Sequence, residues 1–404
     1  MALTTLSPTI LQIVPELETG GAELSAIEMA EAISRAGGRA LVASQGGRME
    51  DALAAAGGEL IRLPVASKNP LQLWRNSKAI ADIVTAEDVN LLHARSRAPA
   101  WSALMASRKT GTPFITTYHG AYGERSAAKR FYNSVMVRGE FVIANSEYTA
   151  GLIEARYQTP RRKIRVIHRG VDAAFDRSLI DVERLRGIRQ RWGVAEGLRI
   201  VLLAGRLTSW KGQKVLIDAF AQLDRENNTG NAIVVLAGDH QGRDAYRDGL
   251  LAQISAAGLN GRVLLVGHES DMPAAFAAAH IAVVSSTEPE AFGRTAVEAQ
   301  AMGCPVIATR HGAPPETVIA PPEAASERQT GWLAKPGDAS DLARHLADAL
   351  ALPEPERQRL GDNAKANVHA NFTSALMQSK TLVVYNEVFD QQSAGRGTPR
   401  FSLG

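Results

Sequence analysis

The sequence predicts an α/β protein built from two doubly wound parallel-sheet domains in series. Three observations lead there. Short continuous apolar runs alternate with helical patterns along nearly the whole chain, which is the signature of strands covered by helices on both faces. The alternation restarts after a charged, strandless stretch at residues 177–192. And 404 residues, 45% hydrophobic and 22% charged, can bury two cores.

The elements follow in order. Residues 10–14 read as the first strand, and 22–36 as a helix whose apolar stripe is Leu24, Ile27, Ala30 and Ile33. Further strands are expected at 41–43, 60–63, 91–93, 114–118, 141–144 and 164–167. A linker helix at 177–192 precedes the second strand series at 198–205, 232–238, 263–266, 281–285 and 306–308, with helices at 213–223, 246–256, 273–279 and 294–301. Pro353 and Pro355 interrupt the helical pattern beyond, since proline supplies no backbone donor. A last helix is expected at 372–389, and the tail from 391 is expected to fray. The predicted division is 1–176, 177–372 and 373–404, the last helix crossing back to the N-terminal domain. With doubly wound sheets, ligands are expected outside the carboxyl ends of the strands.

Composition excludes several classes. The chain is neither disordered nor collagen-like, and no apolar run approaches the roughly 18 residues of a membrane span. No basic segment precedes an apolar one at the N-terminus, so no signal peptide is expected. The single cysteine, Cys304, makes no internal disulfide and reads as a small buried hydrophobe. A cytoplasmic location is the expectation. The formal charge of +3 hides an asymmetry: residues 68–169 carry seventeen basic and seven acidic side chains. A basic half suggests an anionic partner. Nucleic acid is not expected, because the basic residues lack the interleaved aromatics of a stacking platform.

Chemistry gathers at the strand ends. Gly20-Gly21 follows the first strand and opens a helix, allowing close backbone approach to a ligand phosphate. Neither a G-x-G-x-x-G nor a G-x-x-x-x-G-K-[ST] pattern occurs, which disfavours hydride transfer and ATP hydrolysis of the corresponding types. Gly205-Arg206 and Lys211-Gly212 frame a loop whose guanidinium and ammonium can converge on one phosphate or diphosphate. Glu290 and Glu298 bracket Phe292-Gly293-Arg294 at the start of a helix, where carboxylates suit sugar hydroxyls. No D-x-D pair and no His or Cys cluster is present.

Together with His119-Gly120, Asn145-Ser146, the Arg169–Asp172 turn and Gly303-Cys304-Pro305-Val306, these motifs resemble the retaining glycosyltransferases of family four. Those enzymes use the GT-B fold, two Rossmann-like domains facing across a cleft. The resemblance runs over about residues 10–389.

The resemblance implies that the C-terminal domain binds a nucleotide-sugar donor, a UDP- or GDP-sugar, and that the N-terminal domain binds the acceptor. Arg206 and Lys211 would neutralise the leaving diphosphate, doing the charge work of a metal, so neither metal nor cofactor is expected. Glu298 would hold the ribose, while Glu290 and the amides around Phe292, Gly293 and Arg294 would hold the sugar. Gly205 would contribute to the donor site, with Gly20 and Gly21 closing over the diphosphate. His119 would orient the transferred sugar. His93, Arg95 and Asn145 are candidate acceptor contacts.

The acceptor implied is a glycan or a lipid-linked glycan of lipopolysaccharide, exopolysaccharide or glycolipid assembly. Residues 125–138 fit either a helix packed on the sheet or a basic amphipathic helix at an anionic inner-membrane surface. In the second reading Phe131, Tyr132, Val135 and Met136 share one face, flanked by Lys129 and Arg130. Two other functions share these residues: a non-catalytic nucleotide-sugar-binding subunit and a nucleotide-sugar 2-epimerase.

Overall fold

A computed structural model describes residues 7–18, 20–120, 122–124, 126–392 and 399–402. Thr19 of the Gly20-Gly21 turn and Arg125 of the basic segment lie outside the described residues. The chain divides into two compact units, Met1–His168 with Ser374–Gly404, and Arg169–Thr373. The first boundary therefore falls at residue 168, ahead of the expected 176, and the C-terminal helix belongs to the first unit.

The first unit is a seven-stranded, all-parallel sheet. Its strands are β1 (Thr9–Ile13), β2 (Arg39–Ser44), β3 (Gly58–Arg62), β4 (Leu91–Ala94), β5 (Phe114–Tyr118), β6 (Val142–Ala144) and β7 (Ile164–Val166). Their order is β3-β2-β1-β4-β5-β6-β7. Alternate residues of each strand enter opposite cores. Ile10 and Val42 meet Met29 and Ile33 of the helix Gly21–Arg35, whereas Leu11, Leu92 and Phe114 face Ile80 and Leu104. Both faces are therefore apolar, which is why the strands read as continuous hydrophobic runs.

The C-terminal helix Ser374–Gln392 closes the first of these cores with Tyr385, Val388 and Phe389. Gln378 Nε2 donates to Glu28 O at 2.8 Å, and Arg165 pairs with Glu387 at 2.6 Å. The tail does not fray throughout. Phe401 is buried against Tyr385 and Phe389, and its backbone exchanges two hydrogen bonds with the Asn386 amide at 2.9 and 3.0 Å. An aromatic side chain beyond the helix and the Asn386 amide on it together dock this segment.

The second unit carries β8 (Arg199–Ala204), β9 (Ala232–Ala237), β10 (Val263–Gly267), β11 (Ile281–Val284), β12 (Val306–Thr309) and β13 (Gly331–Ala334). These form a parallel sheet ordered β10-β9-β8-β11-β12-β13. Strand β13 is absent from the sequence-based expectation. Four residues containing a glycine carry too little pattern, and the strand exists because its edge position pairs with β12 from Val306↔Gly331 to Thr309↔Ala334. The linker helix begins at Val182 rather than 177, because Asp181 caps it by accepting from Arg184 N–H. Pro355 sits in the first turn of the helix Glu354–Asn371, separating it from Ala339–Ala351 as expected.

Residues 125–138 differ from the amphipathic expectation. The described part is a helix, Ala127–Asn133, followed by a tighter turn, Ser134–Val137. Ser134 Oγ donates to Phe131 O, and the winding changes there. Val135 and Met136 consequently enter the core, while Phe131 stays 60% exposed. The four apolar residues do not share one face.

Candidate active site

In each sheet the strand order reverses between two central neighbours, β1/β4 in the first unit and β8/β11 in the second. Loops leaving such a pair diverge to opposite faces and open a crevice at the carboxyl ends of the strands. Most of the residues singled out in the sequence follow the carboxyl ends of these central strands.

In the second unit, the β8 loop delivers Lys211 and the β11 loop delivers Glu290. Lys211 Nζ lies 2.6 Å from Glu290 Oε1, both side chains being largely buried. Ser286 Oγ donates to the same oxygen at 2.6 Å. Lys211 Nζ also sits 4.3 Å from the centroid of the Trp210 ring, whose backbone oxygen accepts from Thr287 N–H at 2.7 Å. Gly212 allows this contact between loops. Its φ is +73°, and a Cβ there would stand 1.9 Å from Ser285 O.

Glu290 is fixed through its backbone as well. Its N–H donates to His311 O at 3.4 Å and its O accepts from Ala313 N–H at 2.9 Å. The intervening Gly312, with φ +90°, leaves no room for a side chain beside Glu290 O. Thr309 Oγ1 donates to Ser286 O at 2.8 Å, tying the end of β12 to the same loop.

Glu298 pairs with Arg294 at 2.6 Å on the first turns of the helix Arg294–Ala301, which Gly293 caps. Burial pushes the Glu298 carboxyl up from its ordinary value, and Arg294 opposes that shift. Arg206 is exposed, and its carbonyl accepts from Gln213 Nε2 at 3.0 Å. Gly205 N–H bonds to Ala237 O at 2.9 Å, holding the start of the loop to β9. The Phe292 side chain lies in a small core with Val171 and Phe372, so the donor-binding expectation for it concerns only its backbone.

In the first unit Gly20 caps the helix Gly21–Arg35, and the Glu23 carboxylate fills the space a Gly20 side chain would take. His119 follows β5 and is half-buried. Its carbonyl accepts from Asn145 Nδ2 at 3.4 Å, while Asn145 Oδ1 accepts from Thr149 Oγ1 at 2.9 Å.

The three residues expected as acceptor contacts are buried. His93, Arg95 and Asn145 are 0%, 4% and 3% exposed. The two His93 ring nitrogens sit 2.7 Å from Tyr385 Oη and Thr117 Oγ1, and Arg95 donates from Nε and Nη2 to Gln12 Oε1. Their polar atoms bind the interior of the unit, and Asn145 props the His119 loop. Burial overrode position: standing at a strand end does not make a side chain face the crevice.

Ser286, Trp210 and Thr309 were not anticipated. Their only signal is adjacency to Lys211 and Glu290 or to the end of a strand. In the 267–271 loop, Glu269 and Asp271 are engaged by the linker helix, through Arg191 and Trp192 for the former and Arg184 for the latter. Among the described residues, no group of three or more His, Cys, Asp or Glu side chains could hold a metal ion. None of the described helices is long and apolar enough to cross a membrane.

Comparisons with known proteins agree with this fold. The family described as "Glycosyltransferase Family 4" matches residues 19–175, and "Glycosyl transferases group 1" matches residues 186–367. A crystal structure of a glycosyltransferase from Rickettsia africae superposes with a TM-score of 0.86 at 32% identity, covering 95% of this chain and 98% of that one. Anabaena HepE, solved in complex with UDP-glucose, gives 0.77 at 26% identity over 94% of this chain and 99% of its own. D-inositol 3-phosphate glycosyltransferase of Corynebacterium efficiens is 30% identical over 69% of this chain, and the match spans 64% of that relative's length.

Proposed function

Since this chain belongs to the family 4 glycosyltransferases, built on two parallel-sheet domains of the GT-B type, we propose that it transfers a sugar, with retention of configuration, from a nucleotide-sugar donor to a glycan or lipid-linked acceptor. The carrying observation is the Lys211–Glu290 pair at the reversal point of the second sheet, where Ser286 and the Trp210 ring complete its surroundings. A largely buried ammonium at that point offers a fixed positive charge to a diphosphate, and a carboxylate beside it can accept sugar hydroxyls.

In this reading the bond between the anomeric carbon and the donor's phosphate oxygen breaks, and the nucleoside diphosphate leaves. Lys211 and the exposed Arg206 meet the charge that grows on the leaving oxygen, so they favour the transition state over the bound substrate. The acceptor oxygen bonds to the anomeric carbon, and its proton passes to the departing phosphate. Glu290 orients the sugar, Glu298 with Arg294 holds the ribose, and His119 positions the transferred ring. With two cations doing this work, turnover needs no divalent metal and no cofactor.

UDP is favoured as the nucleotide by HepE, which was solved with UDP and with UDP-glucose at comparable similarity. The acceptor belongs to lipopolysaccharide, exopolysaccharide or glycolipid assembly at the cytoplasmic face of the inner membrane. A thermal-shift panel of UDP, GDP and their sugars tests the donor, because a ligand of the native state raises the melting temperature. UDP-sugars are expected to raise it and to be hydrolysed slowly in the presence of a chelator. No shift with any nucleotide sugar, or a strict Mg²⁺ requirement, overturns the corresponding part. Binding without turnover over a range of acceptor extracts would favour the non-catalytic subunit instead.

A further inference from the structure

Three of the largest exposed hydrophobic side chains, Leu71, Trp74 and Phe131, belong to the first unit, at 54%, 49% and 60% exposure. On the helix Pro70–Ala86, Leu71, Trp74, Arg75 and Lys78 follow one another at i, i+3, i+4 and i+7 and point outward, opposite the buried Ile80, Ala81 and Val84. Lys78 Nζ lies 3.7 Å from the centroid of the Trp74 ring.

The neighbouring helix Arg97–Thr110 packs against this one and carries contacts on to Phe131. Ser102 Oγ donates to Leu73 O at 3.0 Å, and the adjacent Trp101 packs on Phe131 with ring centroids 5.4 Å apart. Trp101 Nε1 donates to Tyr132 O at 3.0 Å. The Arg138 guanidinium caps this pair, 4.9 Å from the Phe131 ring and 5.2 Å from Trp101. The charge around the patch is mostly positive, with the exposed Asp82 following Lys78 by four residues on the same helix. Residues 67–80 and 126–138 hold Lys68, Arg75, Lys78, Lys129, Arg130 and Arg138, and no carboxylate.

We propose that this face docks on an anionic lipid bilayer, with Leu71, Trp74 and Phe131 entering the interface and the six cations meeting lipid headgroups. Indole rings favour the headgroup depth, long cationic stems lie along apolar surface while their charges stay in water, and basic clusters are drawn to anionic leaflets. A second copy of the chain would set six cations against six. The face differs from the stripe expected in the sequence, since Val135 and Met136 are in the core. The inference rests on the proposed function only for the location of the acceptor; vesicle binding needs neither donor nor acceptor, so the two can fail separately.

The test is co-sedimentation of the full chain with vesicles of phosphatidylcholine alone or mixed with phosphatidylglycerol. Pelleting is expected with phosphatidylglycerol at low salt, with release as salt rises. Lys78→Glu and Arg138→Glu are each expected to weaken partitioning by about fivefold or more. Trp74→Ser and Phe131→Ser, at exposed positions, should lose most of it while keeping the parent's melting temperature. Equal partitioning onto both vesicles, no binding to phosphatidylglycerol by the folded chain, or parent-like pelleting of both serine variants overturns the proposal. A concentration-dependent dimer in ultracentrifugation that Trp74→Ser abolishes would also overturn it, by assigning the face to a second copy.

Discussion

Lys211 and Glu290, 79 residues apart in sequence, meet at 2.6 Å because β8 and β11 are neighbours at the point where the sheet order reverses. Both side chains are less than one-fifth exposed, at 16% and 11%. Removing one partner strands a charge in a poorly solvated place, at a cost of about 3 kcal/mol for a well-buried pair and less here. Lys211→Met and Glu290→Gln should therefore each lower stability. The double variant should lose less than the sum of the two, read by urea unfolding in a double-mutant cycle.

The same pair separates stability from transfer. Lys211→Met removes charge stabilisation of a leaving diphosphate and is expected to lower kcat/KM by about 10²–10³-fold. The double variant should regain part of the stability and none of the turnover. A double variant that regains turnover would show that Lys211 serves only to neutralise Glu290.

Gly212→Ala probes how tightly the two loops are held. An alanine would have to keep φ at +73° with its Cβ 1.9 Å from Ser285 O, so the Lys211 loop must move. A loss of roughly 1–3 kcal/mol is expected, with a lower kcat as Lys211 shifts. Thermal melts and steady-state kinetics read the two effects.

Cys304 is expected to be inert in the native protein. It is buried, its Sγ faces Ala279 O and Pro305 O, and burial pushes the thiol up to about 12. Because the thiolate is the reactive form, a disulfide reagent should label it only on unfolding. Rapid labelling of the folded chain would contradict this packing.

Much of the architecture was legible because it rests on local pattern. All seven strands of the first sheet announced themselves as apolar runs, the central ones because both of their faces are buried. The Arg294–Ala301 helix likewise matched its pattern to the residue. β13 did not, because a four-residue edge strand is defined by its partner rather than by its own sequence. Spacing also placed Lys211 and Glu290 at strand ends, where the structure brings them together. It could not reveal that His93 and Arg95 turn inward, because that depends on Gln12, Thr117 and Tyr385, the last nearly three hundred residues away. Ser286 escaped for the same reason: only the folded loop makes it a partner of Glu290.

That buried histidine gives the protein an acid-sensitive core. Burial, and then the neighbouring Arg95, hold the His93 pKa well below the ordinary 6.5, so the native ring stays neutral between Tyr385 and Thr117. An unfolded chain protonates its histidine near pH 6.5, so below that pH the unfolded state binds more protons than the native one. Stability must then fall as pH falls, by up to about 1.4 kcal/mol per pH unit for this group. His280 acts in the same direction in the second unit. Burial, with Arg357 and Arg199, lowers its pKa to about 4, so its contribution is lost between 6.5 and about 4. Urea unfolding across that window should show the decline, and His280→Gln should flatten its share. Tyr385→Phe tests the network itself at neutral pH: it removes the hydroxyl from His93 Nδ1 while preserving the packing of the ring on Phe401. A loss of about 1–3 kcal/mol is expected for a buried polar atom left unmatched. Parent-like stability of Tyr385→Phe would mean that the Tyr385 hydroxyl contributes nothing to holding the C-terminal helix on the sheet.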